Sequence, residues 1–255
     1  MRSHPWLRLP SFLSSVSLAL LPALCFLCSA RCQSQLCDAC QSQFFGRPRL
    51  RCRQCANPLT AQPEDELDGA LPDELCAHCL LEPPDFDATL VACDYAAPVD
   101  QLVLALKFGG QLALGALFAR LLRDCVLRQP DFVLPGVLCP VPLGPARLAE
   151  RGFNQALEMA RPLARTLGVK LYPALLTRVQ ETPAQSRSTL PERARNLAHA
   201  FVVTPGQARL VRGQHIGIVD DVMTSGQTLN HLAATLRRFG AARVTNLVFA
   251  RTPPP

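Results

Sequence analysis

The sequence predicts an α/β protein in which a parallel sheet with flanking helices follows a small cysteine-rich double zinc ribbon. Two observations predict this fold class. After residue 83, short apolar runs alternate with segments of helical periodicity, which is typical of parallel sheets. Before that point, eight of the 12 cysteines fall in four CxxC pairs. We therefore expect an N-terminal apolar segment at 1–22, the double ribbon at 23–82 and the α/β domain at 83–255.

The composition fits one full domain and a smaller module. The chain has 255 residues, 49% of them hydrophobic, which is enough for a large core. The net charge is +6, with seven arginines against one acidic residue in 1–55 and nine acidic residues in 63–87. Basic stretches of this kind can bind polyanions such as nucleic acid, although solvated arginine is the commoner explanation. The charge alone therefore identifies no partner.

The CxxC pairs have the spacing of metal ligands, because two thiolates on one tight turn reach adjacent corners of a tetrahedron. They predict two structural Zn²⁺ ions, each held by four cysteines. The pairs are Cys25 with Cys28, Cys37 with Cys40, Cys52 with Cys55, and Cys76 with Cys79. Sequential pairing is favoured, with the first two pairs on one ion and the last two on the other, and an interleaved cross-brace stays open. Thiolate ligands need a reducing compartment, so we expect the cytoplasm.

An apolar stretch near the N-terminus follows two arginines and superficially resembles a secretory signal peptide. Cleavage near Ser29 would discard Cys25 and Cys28 and leave half a zinc site. The run is broken by Pro22 and is too short to span a bilayer comfortably. We favour an amphipathic helix over residues 11–21 that packs on the protein, with membrane-surface contact as the alternative, and expect no transmembrane span.

The elements of the α/β domain follow from the apolar pattern beyond Pro83 and Pro84, which mark its boundary. Strands are predicted for the runs at 89–93, 133–141, 216–219 and 244–249. Helices are predicted from periodicity at 99–106, 112–127, 155–167 and 229–239, the third ended by Gly168 and the fourth by Gly240. Two shorter strands, at 170–171 and 201–203, are expected outside or beside the main sheet.

The most informative stretch runs from His215 to Thr228, where a buried strand is followed by two acids, a loop of small residues and a helix. The backbone N–H groups of such a loop and of the first helical turn converge, and the helix dipole adds partial positive charge. Small residues let a phosphate approach closely. Asp220 and Asp221 would repel a phosphate but suit hydroxyl donors such as those of a ribose. The alternative is an ordinary β–α turn whose acids cap the helix.

Three cationic residues are further candidates for anion binding. Lys107 is one of only two lysines and precedes Gly109 and Gly110, which permit an unusual backbone. Arg151 lies in an RGFNQ segment that enters a helix, and Arg178 lies in a second arginine-containing patch. An arginine fork binds phosphate oxygens bidentately. For each of the three, a solvated surface charge is the alternative.

The segment VDDVMTSGQT, from Val219 to Thr228, resembles the phosphoribosyl-pyrophosphate (PRPP) signature of the type I phosphoribosyltransferases. With the CxxC ribbons, LKFGG, CPVP and RGFNQ in that order, the chain is similar to the competence protein F family over nearly its whole length. The resemblance implies a type I phosphoribosyltransferase-like sheet behind the ribbon, and an association with uptake or use of external DNA. It also implies that the catalytic acids Asp220 and Asp221 hold the ribose hydroxyls while a loop wraps the 5′-phosphate. The loop residues are Thr224, Ser225, Gly226, Gln227 and Thr228.

Functions of different classes follow from this resemblance. As a phosphoribosyltransferase, which is a glycosyltransferase, the chain would release pyrophosphate from PRPP with Mg²⁺ and use an unidentified acceptor. Lys107, Arg151 and Arg178 would then lie on the pyrophosphate side. As a non-catalytic module, it would bind PRPP, a nucleotide or single-stranded DNA, while the zinc ribbon docks a helicase-type competence partner. A purely structural adaptor would need only the zinc module, and the acid pair and loop argue against it.

Overall fold

The computed structural model describes residues 23–46, 49–59, 75–129, 131–179 and 200–253. The helix expected at 11–21 lies outside these residues. The chain forms two compact units that divide after Gly46. Within the described ranges, no helix is both long and apolar enough to cross a membrane.

The first unit holds the first four ribbon cysteines. Strand β1 (Ala23–Leu24) pairs antiparallel with β2 (Arg31–Cys32), and helix α1 (Asp38–Phe45) follows. Cys37 caps this helix, because its sulfur accepts a hydrogen bond of 3.5 Å from the N–H of Cys40. The second CxxC pair therefore occupies the first turn of a helix.

The larger unit begins with the second cysteine group, which packs on the α/β sheet. The N–H of Thr89 donates to the carbonyl of Arg53 over 3.0 Å, and Arg51 forms an ion pair of 2.7 Å with Asp94. Three of the four cysteines are buried in the same apolar core as the sheet. The two cysteine groups thus lie in different compact units, and the boundary expected between residues 82 and 83 stays a prediction.

The main sheet is parallel, as the alternation of strands and helices predicts. The remaining strands in chain order are β3 (Ala88–Asp94), β4 (Val137–Pro140), β5 (Lys170–Leu171), β6 (Leu176–Arg178), β7 (Phe201–Val203), β8 (His215–Met223) and β9 (Arg243–Arg251). Five of them form the sheet in the order β3-β9-β8-β4-β5, with every neighbouring pair parallel. Strands β6 and β7 form a separate antiparallel pair.

Helices cover both faces of the sheet. The remaining helices in chain order are α2 (Ala77–Leu81), α3 (Val99–Phe108), α4 (Ala113–Leu127), α5 (Pro145–Arg151), α6 (Gln155–Leu167) and α7 (Gln227–Arg238), of which α4, α6 and α7 contact the sheet. On one face α4 and α6 contact each other and the sheet, and Phe118 of α4 stacks on Phe249 of β9 with ring centroids 3.6 Å apart. On the other face Ile216 and Ile218 of β8 share a core with Leu232 of α7. The α/β class with a parallel sheet and flanking helices is confirmed.

Three details differ from the sequence expectations. Strand β4 begins at Val137 instead of Val133, which is 55% exposed. Strand β8 continues through the two acids to Met223 instead of ending before them. Helix α5 and strand β6 were not predicted. The second difference matters most, because it places both carboxylates inside a paired strand.

Candidate functional site

The candidate site lies where the sheet changes the direction of its connections. Strand β4 leads through α6 to β5 on one side, whereas β8 leads through α7 to β9 on the other. Such a switch point leaves a crevice at the carboxyl ends of the two strands, and ligands of open α/β sheets bind there. Here β8 ends in the predicted acids and loop, and β4 ends at Pro140 next to Val219.

The two acids point to opposite faces of β8, because successive residues of a strand alternate. Asp221 is 2% exposed and is held on the α6 side by two partners. Lys107 Nζ lies 2.7 Å from Asp221 Oδ2, and Gln155 Nε2 donates to Oδ1 over 3.1 Å. The N–H of Asp221 in turn donates to Asp220 Oδ1 over 2.9 Å. Both carboxylates therefore enter the site with protein donors already in place.

Gln155 is a site residue that sequence reasoning did not single out. Its side chain is the first of α6 and is 6% exposed. While its amide nitrogen donates to Asp221, its Oε1 accepts from Arg151 NH1 over 2.5 Å. One amide thus joins the acid pair to a predicted anion-binding arginine. The only signal was its place at the end of the RGFNQ segment.

Arg151 completes this cluster at the end of α5. The left-handed Gly152, at φ 78°, ends the helix, and the guanidinium of Arg151 lies 5.3 Å from the ring centroid of Phe108. Phe108 is 73% exposed and adjoins Lys107 in the chain. The structure thus brings Lys107, Arg151 and Asp221 together, as the sequence patches suggested for an anion site beside the acids.

Arg178 lies elsewhere in the larger unit. It is the last residue of β6, in the small antiparallel pair, and its guanidinium stacks 5.5 Å from the ring centroid of Phe201 in β7. Among the described residues, Gln155 and Phe108 make the contacts that join Lys107, Arg151 and Asp221. A role for Arg178 on the pyrophosphate side stays a prediction.

The predicted phosphate loop forms the N-terminus of α7. Thr224, Ser225 and Gln227 are exposed, and Gly226 precedes the helix at φ 82°. The positive φ favours glycine at this position, and a Cβ added to Gly226 would lie 2.6 Å from the Met223 Cε atom, so that the methionine side chain would have to move. A helix N-terminus without a side-chain cap leaves backbone N–H groups that can bind a phosphate.

Asp220 has an unusual acidity. It is 9% exposed, and burial, followed by the negative charge of Asp221, raises its pKa well above the usual value for a carboxyl. Hydrogen bonds to the ionised form lower a pKa, so a ligand that donates hydroxyls to Asp220 would favour the carboxylate. Such a ligand would therefore offset the free-energy cost of ionising the buried carboxyl of Asp220.

Each cysteine group has the geometry of a metal site. The four sulfurs of Cys25, Cys28, Cys37 and Cys40, and those of Cys52, Cys55, Cys76 and Cys79, lie within 4.8 Å of one another. In the first group the sulfurs of Cys28 and Cys37 are 3.6 Å apart, and in the second group those of Cys55 and Cys76 are 3.5 Å apart. Tetrahedral Zn–S bonds of about 2.3 Å would separate sulfurs by about 3.8 Å, so both groups fit Zn²⁺. The grouping follows sequential pairing and not an interleaved cross-brace.

Backbone donors prepare some of these thiols for a metal. Burial alone would raise the pKa of Cys25, but backbone N–H groups outweigh it and lower the pKa to about 6. The same balance lowers the pKa of Cys52 to about 7. Because the thiolate is the ligand form, the turns that begin at Cys25 and Cys52 favour a cation. Burial raises the pKa of Cys40, Cys55 and Cys79.

Comparisons with known proteins agree with this architecture. A family model described as "Phosphoribosyl transferase domain" matches residues 154–253. DNA utilization protein YhgH of Salmonella typhimurium is 35% identical over 237 residues, which cover 91% of this chain and 98% of that protein. Competence protein F of Haemophilus influenzae is 30% identical over 213 residues, 82% of this chain and 87% of that protein. The chain belongs to the competence protein F family.

Membership of the competence protein F family confirms the resemblance seen in the sequence. The matched segment 154–253 contains α6, β8, α7 and all of the acid and loop residues described above. Among solved structures, the allosteric regulatory enzyme of purine biosynthesis has a TM-score of 0.34 and 16% identity. The match covers 53% of this chain and 26% of the chain of that enzyme, and so weak a similarity adds nothing to the family assignment.

Proposed function

We propose that this chain binds PRPP as its Mg²⁺ complex at the carboxyl ends of β4 and β8, and acts in DNA utilisation as the names of its relatives suggest. One observation carries the proposal. Strand β8 runs through Asp220 and Asp221 directly into the exposed loop 224–228 at the N-terminus of the 12-residue helix α7. Hydroxyl acceptors thus adjoin an anion cup at the switch point of the sheet.

The parts of PRPP match the groups around this point. The loop N–H groups and the hydroxyls of Thr224 and Thr228 would bind the 5′-phosphate, and the acids would bind the ribose hydroxyls. Lys107, now paired with Asp221, would turn to the pyrophosphate when the ribose takes over that carboxylate. Arg151 lies beside it and would supply a second cation.

The same arrangement suits transfer of the phosphoribosyl group. A nucleophile attacks the anomeric carbon, the bond to pyrophosphate breaks, and the pyrophosphate leaves with the electron pair. The positive charge that develops on the sugar faces Asp220 and Asp221, which stabilise it electrostatically. Mg²⁺ bound to the pyrophosphate would offset the charge of the leaving group.

Titration calorimetry with PRPP and Mg²⁺ tests the binding. We expect the wild type to bind and the double variant Asp220→Asn/Asp221→Asn to lose at least tenfold in affinity, since charged hydrogen bonds contribute about 1.5–3 kcal/mol each. Equal affinities would remove the acids from the ribose site. Pyrophosphate release, screened over nucleobases and amines, then tests turnover, and binding without release with every acceptor favours the non-catalytic module.

Single-stranded DNA is the second candidate ligand, and Phe108 favours it. This ring is 73% exposed, and Arg151 stacks over it beside the site. Bases stack on exposed aromatic rings, and neighbouring cations bind the backbone. Gel shifts over a salt series should show Phe108→Ala weakening DNA binding while Phe239→Ala, at the end of α7, does not. A DNA affinity that changes neither with salt concentration nor in either variant would exclude this site.

We also propose that each cysteine group binds one structural Zn²⁺. Metal analysis of the reduced protein should give two zinc ions per chain, and Cys52→Ser should give one. Fewer than two in the wild type would contradict the double zinc ribbon. The docking of a helicase-type partner on the ribbon stays a prediction.

A further inference from the structure

Arg251 joins the second cysteine group to the candidate phosphate loop. It is the last residue of β9, next to Met223 at the end of β8, and is 6% exposed. Its Nε donates to the carbonyl of Cys55 over 3.1 Å. Its NH1 lies 3.1 Å from the carbonyl of Met223 and also contacts that of Thr224. One buried guanidinium is thus hydrogen-bonded both to the second cysteine group and to the start of the phosphate loop.

The carbonyl of Cys55 has its direction fixed by the CxxC turn. The N–H of Ala56 donates to the carbonyl of Cys52, and the N–H of Cys52 to that of Asn57, both over 2.8 Å. Ala56 adopts φ 58°, a left-handed conformation that residues with a Cβ rarely keep without support. A metal bound by both cysteines of this turn would supply that support, so its loss would let the carbonyl move.

A buried arginine is sensitive to such movement. Arg251 makes its hydrogen bonds to backbone carbonyls, including that of Thr252 at 2.7 Å. A charged donor that loses a buried acceptor keeps its desolvation cost, so the side chain must shift to find another. Any shift also changes its bonds to Met223 and Thr224, which begin the loop.

We propose that Arg251 is a positioning residue that couples metal occupancy of the second cysteine group to the shape of the phosphate loop. Loss of that metal then weakens binding of a phosphate-bearing ligand, whereas loss of the metal in the first unit does not. The ligand part rests on the function proposed above. The loop part does not depend on any ligand.

The first experiment compares Arg251→Lys with Arg128→Lys, an exposed arginine after α4. Lysine keeps the charge but cannot bond Cys55 and Met223 in one fork. We expect Arg251→Lys to retain two metal ions, to bind PRPP with Mg²⁺ about tenfold more weakly, and to speed amide hydrogen exchange at residues 225–228. Wild-type exchange and affinity in Arg251→Lys would overturn the proposal.

The second experiment compares Cys76→Ser with Cys28→Ser, each expected to lose one metal ion. Cys76→Ser should speed amide hydrogen exchange in the phosphate loop and weaken PRPP binding. In the double variant Arg251→Lys/Cys76→Ser, exchange and affinity should be close to those of Arg251→Lys alone. Equal effects of the two cysteine variants on the loop would refute the coupling. If the wild type binds no PRPP, the proposed function fails, while the exchange data still decide the coupling on their own.

Discussion

The ion pair between Lys107 and Asp221 allows a quantitative test of how the site is held before a ligand arrives. The pair is 2.7 Å long, with the two side chains 22% and 3% exposed. Removing one partner of a buried pair costs about 3–5 kcal/mol, because the other charge stays buried without compensation. Lys107 is partly exposed and Gln155 still donates to Asp221, so we expect about 2–3 kcal/mol for Lys107→Met.

Removal of the carboxylate instead of the lysine should lower the free energy of unfolding by less. In Asp221→Asn the amide oxygen still accepts from Gln155, and the long side chain of Lys107 can extend its ammonium group to water, so we expect about 1 kcal/mol or less. The double variant Lys107→Met/Asp221→Asn should be more stable than the sum of the single changes by about 1–2 kcal/mol, which is the coupling expected of a contacting pair.

Urea denaturation followed by far-ultraviolet circular dichroism, with zinc and reductant present, measures these free energies of unfolding. The matched control is Lys170→Met, which changes the other lysine of the chain, exposed on β5. It should stay within about 0.5 kcal/mol of the wild type. If Lys107→Met and Lys170→Met have the same small effect, the ion pair does not stabilise the site and the reasoning is wrong.

Three further predictions concern single site residues. Because the pKa of Asp220 is raised in the folded state, its contribution to the free energy of unfolding should fall as pH rises above about 4, the usual pKa of an unfolded aspartate. Asp220→Asn should therefore melt at a higher temperature than the wild type at pH 7 and at the same temperature at pH 3.5, and should bind PRPP more weakly. A lower melting temperature of the variant at pH 7 would contradict this prediction. Gly226→Ala and Gly206→Ala both add a Cβ at positive φ, at about 1–2 kcal/mol each by urea denaturation, but only Gly226→Ala meets a side chain and should weaken PRPP binding; equal affinities would refute the close fit. Gln155→Leu should cost about 1–3 kcal/mol, since Asp221 loses a buried donor, and unchanged stability in urea would show that the bridge contributes nothing.

The sequence predicted those parts of the site that are continuous in the chain. The loop 224–228 and α7 follow from local signals, because small residues before an apolar helical pattern are read within one stretch. Contacts between distant residues could not be read in this way. Gln155 and Lys107 meet Asp221 across 66 residues and 114 residues of chain, respectively, and no local pattern specifies that encounter.

The errors in strand length have a similar origin. Acidic residues are poor strand formers, so β8 was predicted to end at Val219. In the structure it continues because β9 pairs with it as far as Met223 and Arg251, and because Lys107 lies against one carboxylate. Strand β4 is shorter than its apolar run for the converse reason, since its pairing with β8 begins only at Val137. Helix α5 carries local signals that a sequence can show, Pro145 at its start and Gly152 after its end, where the structure has a left-handed conformation.

The hydrogen bond from Thr89 to Arg53 has a consequence for solubility. Strand β3 is the border strand of the main sheet, and this bond uses an N–H that faces away from β9. The cysteine turn therefore occupies one backbone donor of a border strand, and border strands are where sheets pair with other molecules. If the second cysteine group binds a metal, removal of that metal should let the protein self-associate through this border before it loses its helices.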